Sequence, residues 1–330
     1  MSIPFALGDA ADLIDVSIQR LWLKSSNLDD EDYKLYFNTE SGVVDYYLKD
    51  SSISGLGQAA RQLENAVITS ESPIQNFDKT YTQVKFSKLL AVTEQMWKFG
   101  IKKRDLEKIT GELRLACVRK REALGALYLD SAWSTSMTVT DDSGNYSKTI
   151  SGGNSVALFS ASQTREDGGT DNNNIVYDGT TYNMDMEYDA LKALERTASL
   201  VRDPKGNLMN IKPDTIIVKR GSTAAFRYKE IAGAMSRNQL PGGNDNDGTA
   251  IGGYKLIELP YLANDAYWYA FDSSMKNLTY GPQWKESQPI MLSPANVVYK
   301  TDEIQYKSSL MADFGHNDYR GWFGSDGTNA

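Results

Sequence analysis

The apolar positions along the chain change period several times, and each change marks an element. From Asp9 to Trp22, the residues Leu13, Ile14, Ile18, Leu21 and Trp22 recur at helical spacing behind Asp9 as N-cap, which predicts a short amphipathic helix. NLDDEDYKLYF follows, acidic and then aromatic, in the manner of a tether ending in an anchor. Residues 42–49, GVVDYYLK, predict a strand, and residues 78–92, DKTYTQVKFSKLLAV, predict a second, β-branched and aromatic one. Between them lies SSISGLGQAARQLENAVITSESP, with turn-forming residues at both ends and one brief helical stretch. Together these segments predict a long two-stranded excursion. Such a hairpin has too little core to be stable in water alone, so something else must cover it.

The longest helical signal is KRDLEKITGELRLACVRKREALGALYLDSAW, in which Leu106, Ile109, Leu113, Ala116, Lys120, Leu124 and Leu127 step by three and four. It predicts roughly 28 residues of helix, about 42 Å long, which needs an extended surface to lie on. Gly111 and Gly125 inside it point to close packing or a bend. A hairpin is predicted around residues 141–145, DDSGN, and a polar run, residues 160–174, SASQTREDGGTDNNN, is predicted to be an exposed surface loop.

An α/β alternation then begins: helix EYDALKALERTASLV, strand TIIVK at 215–219, helix STAAFRYKEIAGAM opened by Ser222, and strands YKLIEL and AYWYAF. Ile216, Ile217 and Val218 are consecutive rather than alternating, which predicts a strand covered on both faces. Asn238 to Gly253 form a second polar loop. In the tail, Ile304, Tyr306, Ser308, Leu310, Ala312 and Phe314 alternate strictly, placing them on one face of a long strand.

Composition narrows the chemistry. The chain has 330 residues, 41% hydrophobic, with 19 Tyr and 6 Trp, enough for a sizeable core and for extended aromatic interfaces. With 35 basic and 43 acidic residues the net charge is −8, which offers no electrostatic grip on phosphates and argues against sequence-specific nucleic-acid binding. One cysteine, Cys117, and one histidine, His316, exclude a disulfide framework and a Cys/His zinc site. Cys117 reads as a small core residue and His316, beside Asn317, Asp318 and Tyr319, as a hydrogen-bonded structural one. A calcium loop centred on Gly248 places Asp245 and Asp247 correctly, but Gly243 and Tyr254 stand where the first and twelfth ligands belong. Asp167 and Asp171 have no such spacing, and no P-loop, GxSxG or HExxH occurs. The basic cluster VRKRE, residues 118–122, reads as a solvated helix face paired with Glu112 and Glu122. No apolar run approaches the roughly 20 residues that cross a bilayer, and the N-terminus has no basic n-region, so the expectation is a chain made in a cytoplasm, with no metal and no cofactor.

A hairpin excursion, a very long helix, an α/β unit and a returning strand, in that order, resemble the phage major capsid proteins of the Hong Kong 97 fold. QNFDKTYTQVKFSKLLAVTEQMW, residues 75–97, resembles the second E-loop strand of the Mu-like major head subunit branch. Arg121-Glu122 with Tyr128 to Trp133 is similar to the end of the family's spine helix, and Ala157 to Ser160 leading into Gly168-Gly169-Thr170 to its polar P-domain loop. Leu240 to Asn244 resembles an A-domain loop, and Asp318 to Ser325 the C-terminal signature. The resemblance covers residues 35 to 326.

It implies an α+β fold with an N-terminal arm (1–40), an extended E-loop hairpin (41–98), a P-domain with the spine helix (99–186), an A-domain (187–299) and a return to the P-domain (300–330). The implied partners are the chain itself, in hexamers and pentamers of an icosahedral head that encloses double-stranded DNA without reading it, and separate scaffolding, portal and decoration proteins. The implied location is the virion, assembled in the host cytoplasm, with no membrane and no catalytic role. Assembly contacts are expected from Leu56, Arg61, Leu63, Glu64 and Val67 of the E-loop, Pro241, Gly242, Gly243 and Asn244 of the A-domain loop, and Tyr319, Arg320 and Trp322 of the signature. The chain departs from the family in a lysine-free E-loop tip and in lacking a long N-terminal extension resembling a fused scaffold. An encapsulin-like cargo shell, an α/β enzyme and a secreted adhesive module are the other readings. Shell contents, a pocket of convergent polar groups and an export signal, respectively, would distinguish them.

Overall fold

The protein is described by a computed structural model covering residues 19–23, 31–51, 55–59, 61–62, 64, 67–68, 70–93, 95–96, 103–236, 253–276, 280–294, 296–298 and 300–329. The predicted helix start at Asp9 and residues 238–252 of the second polar loop lie outside the described residues. Residues 19–23 are helical, and Trp22 is buried with the guanidinium of Arg114 5.0 Å from its ring centre.

The aromatic end of the tether is an anchor. A single helical turn, Tyr33–Tyr36, leads into Phe37, and all three rings are buried. Phe37 lies edge-on to Trp284 at 5.6 Å, and Trp284 stacks on Phe314 at 5.3 Å. Strand β1 (Asn38–Ser41) follows and β2 (Tyr47–Asp50) comes after it. Of the strand expected over 42–49 only 47–49 is strand, within β2, while the first strand, β1, lies before that stretch. Gly42, at φ +80°, ends the first, a conformation that L side chains rarely adopt.

β2 pairs antiparallel with β3 (Lys79–Thr82), from Tyr47 opposite Thr82 to Asp50 opposite Lys79, which closes the base of the excursion. Among the described residues between these strands none is helical. β4 (Val84–Thr93) continues from β3 and pairs along its whole length with β12 (Glu303–His316). The predicted face of β12, Ile304 through Phe314 by twos, is buried throughout. On its other edge β12 carries β11 (Asn296–Val298) and β10 (Pro282–Leu292), and β10 pairs parallel with β1.

The long helix spans Lys103–Asp130, 28 residues, and packs across β4 and β12. Its first half buries one stripe through Thr110, Leu113 and Cys117, while from Val118 onward most positions are buried because the Tyr33–Phe37 anchor covers the opposite side. Val118, Arg121 and Glu122 are therefore not a solvated face as expected. Glu122 accepts the Tyr33 amide at 2.9 Å and Arg121 lies 4.5 Å over the Tyr33 ring. Arg119 does pair with Glu112, at 2.9 Å. Gly125 marks the closest approach, since a Cβ there would stand 2.5 Å from the Tyr36 hydroxyl.

β5 (Ser136–Asp141) and β6 (Gly144–Thr149) form the expected hairpin. A second sheet has the order β13–β9–β7–β8, from Trp322–Ser325, Trp268–Phe271, Thr215–Lys219 and Lys255–Leu259. Its two faces serve two cores. Ile217, Tyr269, Phe271 and Trp322 face the core shared with the long helix, while Ile216, Val218, Trp268 and Phe323 face helices Tyr188–Leu200 and Thr223–Ser236. That double cover is why the β7 run is continuously apolar. Ser222 caps the second of these helices by accepting the Ala225 amide at 3.1 Å.

Candidate assembly surface

The excursion is fixed at its base by buried charge. Asp313 of β12 accepts the Thr82 amide at 2.6 Å and contacts the ammonium of Lys148 from β6, with both side chains nearly inaccessible. Lys148 also lies 3.9 Å over the Phe314 ring. Lys79 donates to the Ser151 carbonyl at 2.5 Å, and burial pushes its pKa down to about 8. Lys49 pairs with Asp78 at 2.6 Å, so both lysines flanking the excursion are engaged at its base. Beyond the base the apolar side chains lack cover: Leu56, Val67 and Ile68 are 63%, 95% and 73% exposed. Arg61 and Glu64 are exposed as well, and Leu63 lies outside the described residues. At the base Val44, Tyr46 and Tyr47 add further exposed apolar surface.

The polar run 160–174 is not simply an exposed loop. Residues 161–162, 164 and 167–171 are open, while Gln163, Arg165, Asn172 and Asn174 are buried. Asn172 donates to the Tyr319 hydroxyl at 2.7 Å and to the Arg202 carbonyl at 2.9 Å, and Asn174 donates to the carbonyls of Leu158 at 2.6 Å and Trp322 at 3.1 Å. The asparagines are there because irregular backbone entering a core must have its carbonyls satisfied by side-chain amides.

The C-terminal signature is held by the same run. The Arg320 guanidinium forks onto Glu166, at 3.3 and 2.8 Å, and reaches Asp318 at 2.7 Å and the Arg202 carbonyl at 3.0 Å. Tyr319, Arg320 and Trp322 are buried within the chain, which corrects their expected role as contacts offered to neighbours. Their side chains are consumed by hydrogen bonds and by the stack of Trp322 on Phe271 at 4.6 Å. Pro241, Gly242, Gly243 and Asn244 lie outside the described residues.

A cleft of about 410 Å³ between β4, the long helix and the β5–β6 turn includes Lys88, Lys120 and Cys117. Two of its lysines are paired with its acids, Lys88 with Asp142 at 3.1 Å and Lys120 with Asp141 at 3.8 Å, and Lys85 lines it as well. The Cys117 thiol is hydrogen-bonded with the Ser308 hydroxyl at 3.1 Å, and burial pushes its pKa up, away from thiolate. His316 sits beneath the surface with Nδ1 2.8 Å from the Tyr128 hydroxyl. Among the described residues no group of three His, Cys, Asp or Glu side chains could hold a metal, and no helix is long and apolar enough to cross a membrane.

No protein-family model matches the chain, and no curated protein matches it in sequence. Solved structures do match its fold. The capsid protein of a native gene transfer agent particle superposes with a TM-score of 0.52 over 89% of this chain and 89% of its own, at 10% identity. The fold is that of a capsid protein. A chain of Mycobacterium phage Bobi is also similar, with a TM-score of 0.49 over 90% of both chains at 14% identity. Lys148 and Asp313, the pair that fixes the excursion's base, escaped the sequence reading because they are 165 residues apart and neither sits in a motif.

Proposed function

We propose that this chain is a major capsid protein of a tailed bacteriophage, of the Mu-like major head subunit branch, which assembles as hexamers and pentamers into an icosahedral head around double-stranded DNA. The observation that carries the reading is the capsid fold matched over 89% of both chains. The exposed Leu56, Val67 and Ile68 support it, because apolar side chains on an excursion with no core of its own call for a neighbouring subunit. The Mu-like branch rests on the motifs at 75–97 and 318–325. The role is structural and needs no cofactor. Scaffolding, portal and decoration proteins are separate chains in this reading, and the place of assembly is the host cytoplasm.

The domain boundaries at 40, 98, 186 and 299 belong to the same proposal, with the refinement that β10 lies with β12 and that β13 joins the sheet of β7 and β9. Residues 238–253 are proposed to lie near a capsomer's local symmetry axis. Shortening that loop should disturb capsomer formation and leave the monomer's unfolding midpoint nearly unchanged; a large loss of monomer stability would put the loop in the core instead. The assembly reading is tested by light scattering of concentrated protein with a scaffold supplied. Purified particles should then contain nuclease-sensitive DNA, whereas a protein cargo would favour the encapsulin-like alternative.

A further inference from the structure

Glu71, on the return leg of the excursion, is tied on both sides. One carboxylate oxygen accepts the Gly57 amide at 2.8 Å, which joins the two legs, and the other is 2.8 Å from the Lys205 ammonium. The same ammonium donates to the Ser72 carbonyl at 3.0 Å. Lys205 stands on a turn that is built to hold it. The Asp203 carboxylate accepts the amides of Lys205 at 2.9 Å and Asn207 at 2.8 Å, and Gly206, at φ +87°, completes the turn. A Cβ on Gly206 would lie 2.8 Å from the Arg165 guanidinium, so the turn sits directly on the polar run.

The Lys205 side chain is 12% exposed and that of Glu71 is 44% exposed. A half-exposed ion pair of this kind is weak and opens readily. The apolar Leu56, Val67 and Ile68 meanwhile stay exposed with the pair closed, and burying three such side chains against another chain outweighs one such pair. The geometry points to a reversible strap: Lys205 holds the excursion of an unassembled chain against its own body through Glu71 and Ser72, and a neighbouring copy that covers the excursion's apolar residues draws it off. The release step rests on the capsid reading, while the strap itself does not.

Arg61 is the one basic residue between Asp50 and Lys79, so an arginine-specific endoprotease reports on the excursion in the unassembled chain. Lys205→Glu and Glu71→Lys should each speed cleavage at Arg61 by about two- to fivefold, the range of a half-exposed pair, and the double variant, which restores the ion pair but neither the Gly57 nor the Ser72 hydrogen bond, should be slower than the singles and faster than the original chain. Glu71→Gln, which keeps an acceptor for Gly57, should fall between. In the assembly assay the single charge reversals should form particles faster than the original chain. Equal cleavage rates among the five proteins, or a double variant as fast as the singles, would overturn the strap. Cleavage needs no particle, so rates that follow the charges while no variant assembles leave the strap standing and remove the capsid reading.

Discussion

His316 has no exposed surface through which to gain solvation when it takes a proton. Burial, and secondarily the charge on Lys79, push its pKa down to about 3 from 6.5. In the unfolded chain the imidazole protonates as the pH falls through about 6.5, and in the folded chain only near 3, so between these values the unfolded state binds more protons. The stability is therefore full above that upper value and is lost as pH falls toward the lower one, at about 1.4 kcal/mol per pH unit from this group alone. Carboxylates add to the acid limb, so the difference between two proteins is the useful quantity. His316→Gln should lose less stability than the original chain between pH 6 and pH 4, measured as urea midpoints, and parallel curves would contradict the assignment. The two helix glycines make a second, paired prediction. Gly125→Ala places a methyl 2.5 Å from the buried Tyr36 hydroxyl and should cost about 1–3 kcal/mol. Gly111→Ala meets nothing within 4 Å and should gain up to about 1 kcal/mol from helix propensity.

At the scale of elements, Arg320 joins the C-terminal signature to the polar run, and replacing it with Met would leave Glu166 and Asp318 buried without their cation. The expected loss is about 3–5 kcal/mol, read from thermal or urea unfolding, with Arg320→Lys recovering only part because it cannot fork onto a carboxylate. The excursion carries a chemical prediction of its own. Linking it to a neighbour through a lysine amide needs an amine at its far end, and Lys49 and Lys79 are both held at its base, one by Asp78 and the other by Ser151. Boiled particles should thus run as a single 36.7 kDa band on denaturing electrophoresis, and a ladder of multiples that survives reductant would contradict this. Where sequence period and burial agree, elements were legible: β7, β12, the long helix and the β5–β6 hairpin fall where their patterns place them. β10 was invisible because PQWKESQPIML sets Lys285 and Glu286 side by side and interrupts the run with Pro289, yet Lys285 is buried against Glu40 at 2.5 Å. Its charges are tolerated through a partner strand 245 residues away, which no local pattern records. The polar run failed for the same reason, since glycine and asparagine announce irregular backbone but not that Tyr319 and Trp322 wait to receive their amides.

Across the whole molecule, two cores share the β13–β9–β7–β8 sheet, and the long helix bridges the larger core to the Tyr33–Phe37 anchor, leaving the excursion as the part with least cover of its own. A chain built this way leaves apolar surface uncovered, and in the proposed reading self-association is the state that buries it. Electron microscopy of concentrated purified protein, with any scaffold supplied, tests that claim most directly. Closed particles of uniform diameter with five- and six-fold capsomers are the predicted result, and a chain that stays monomeric under every such condition would contradict it.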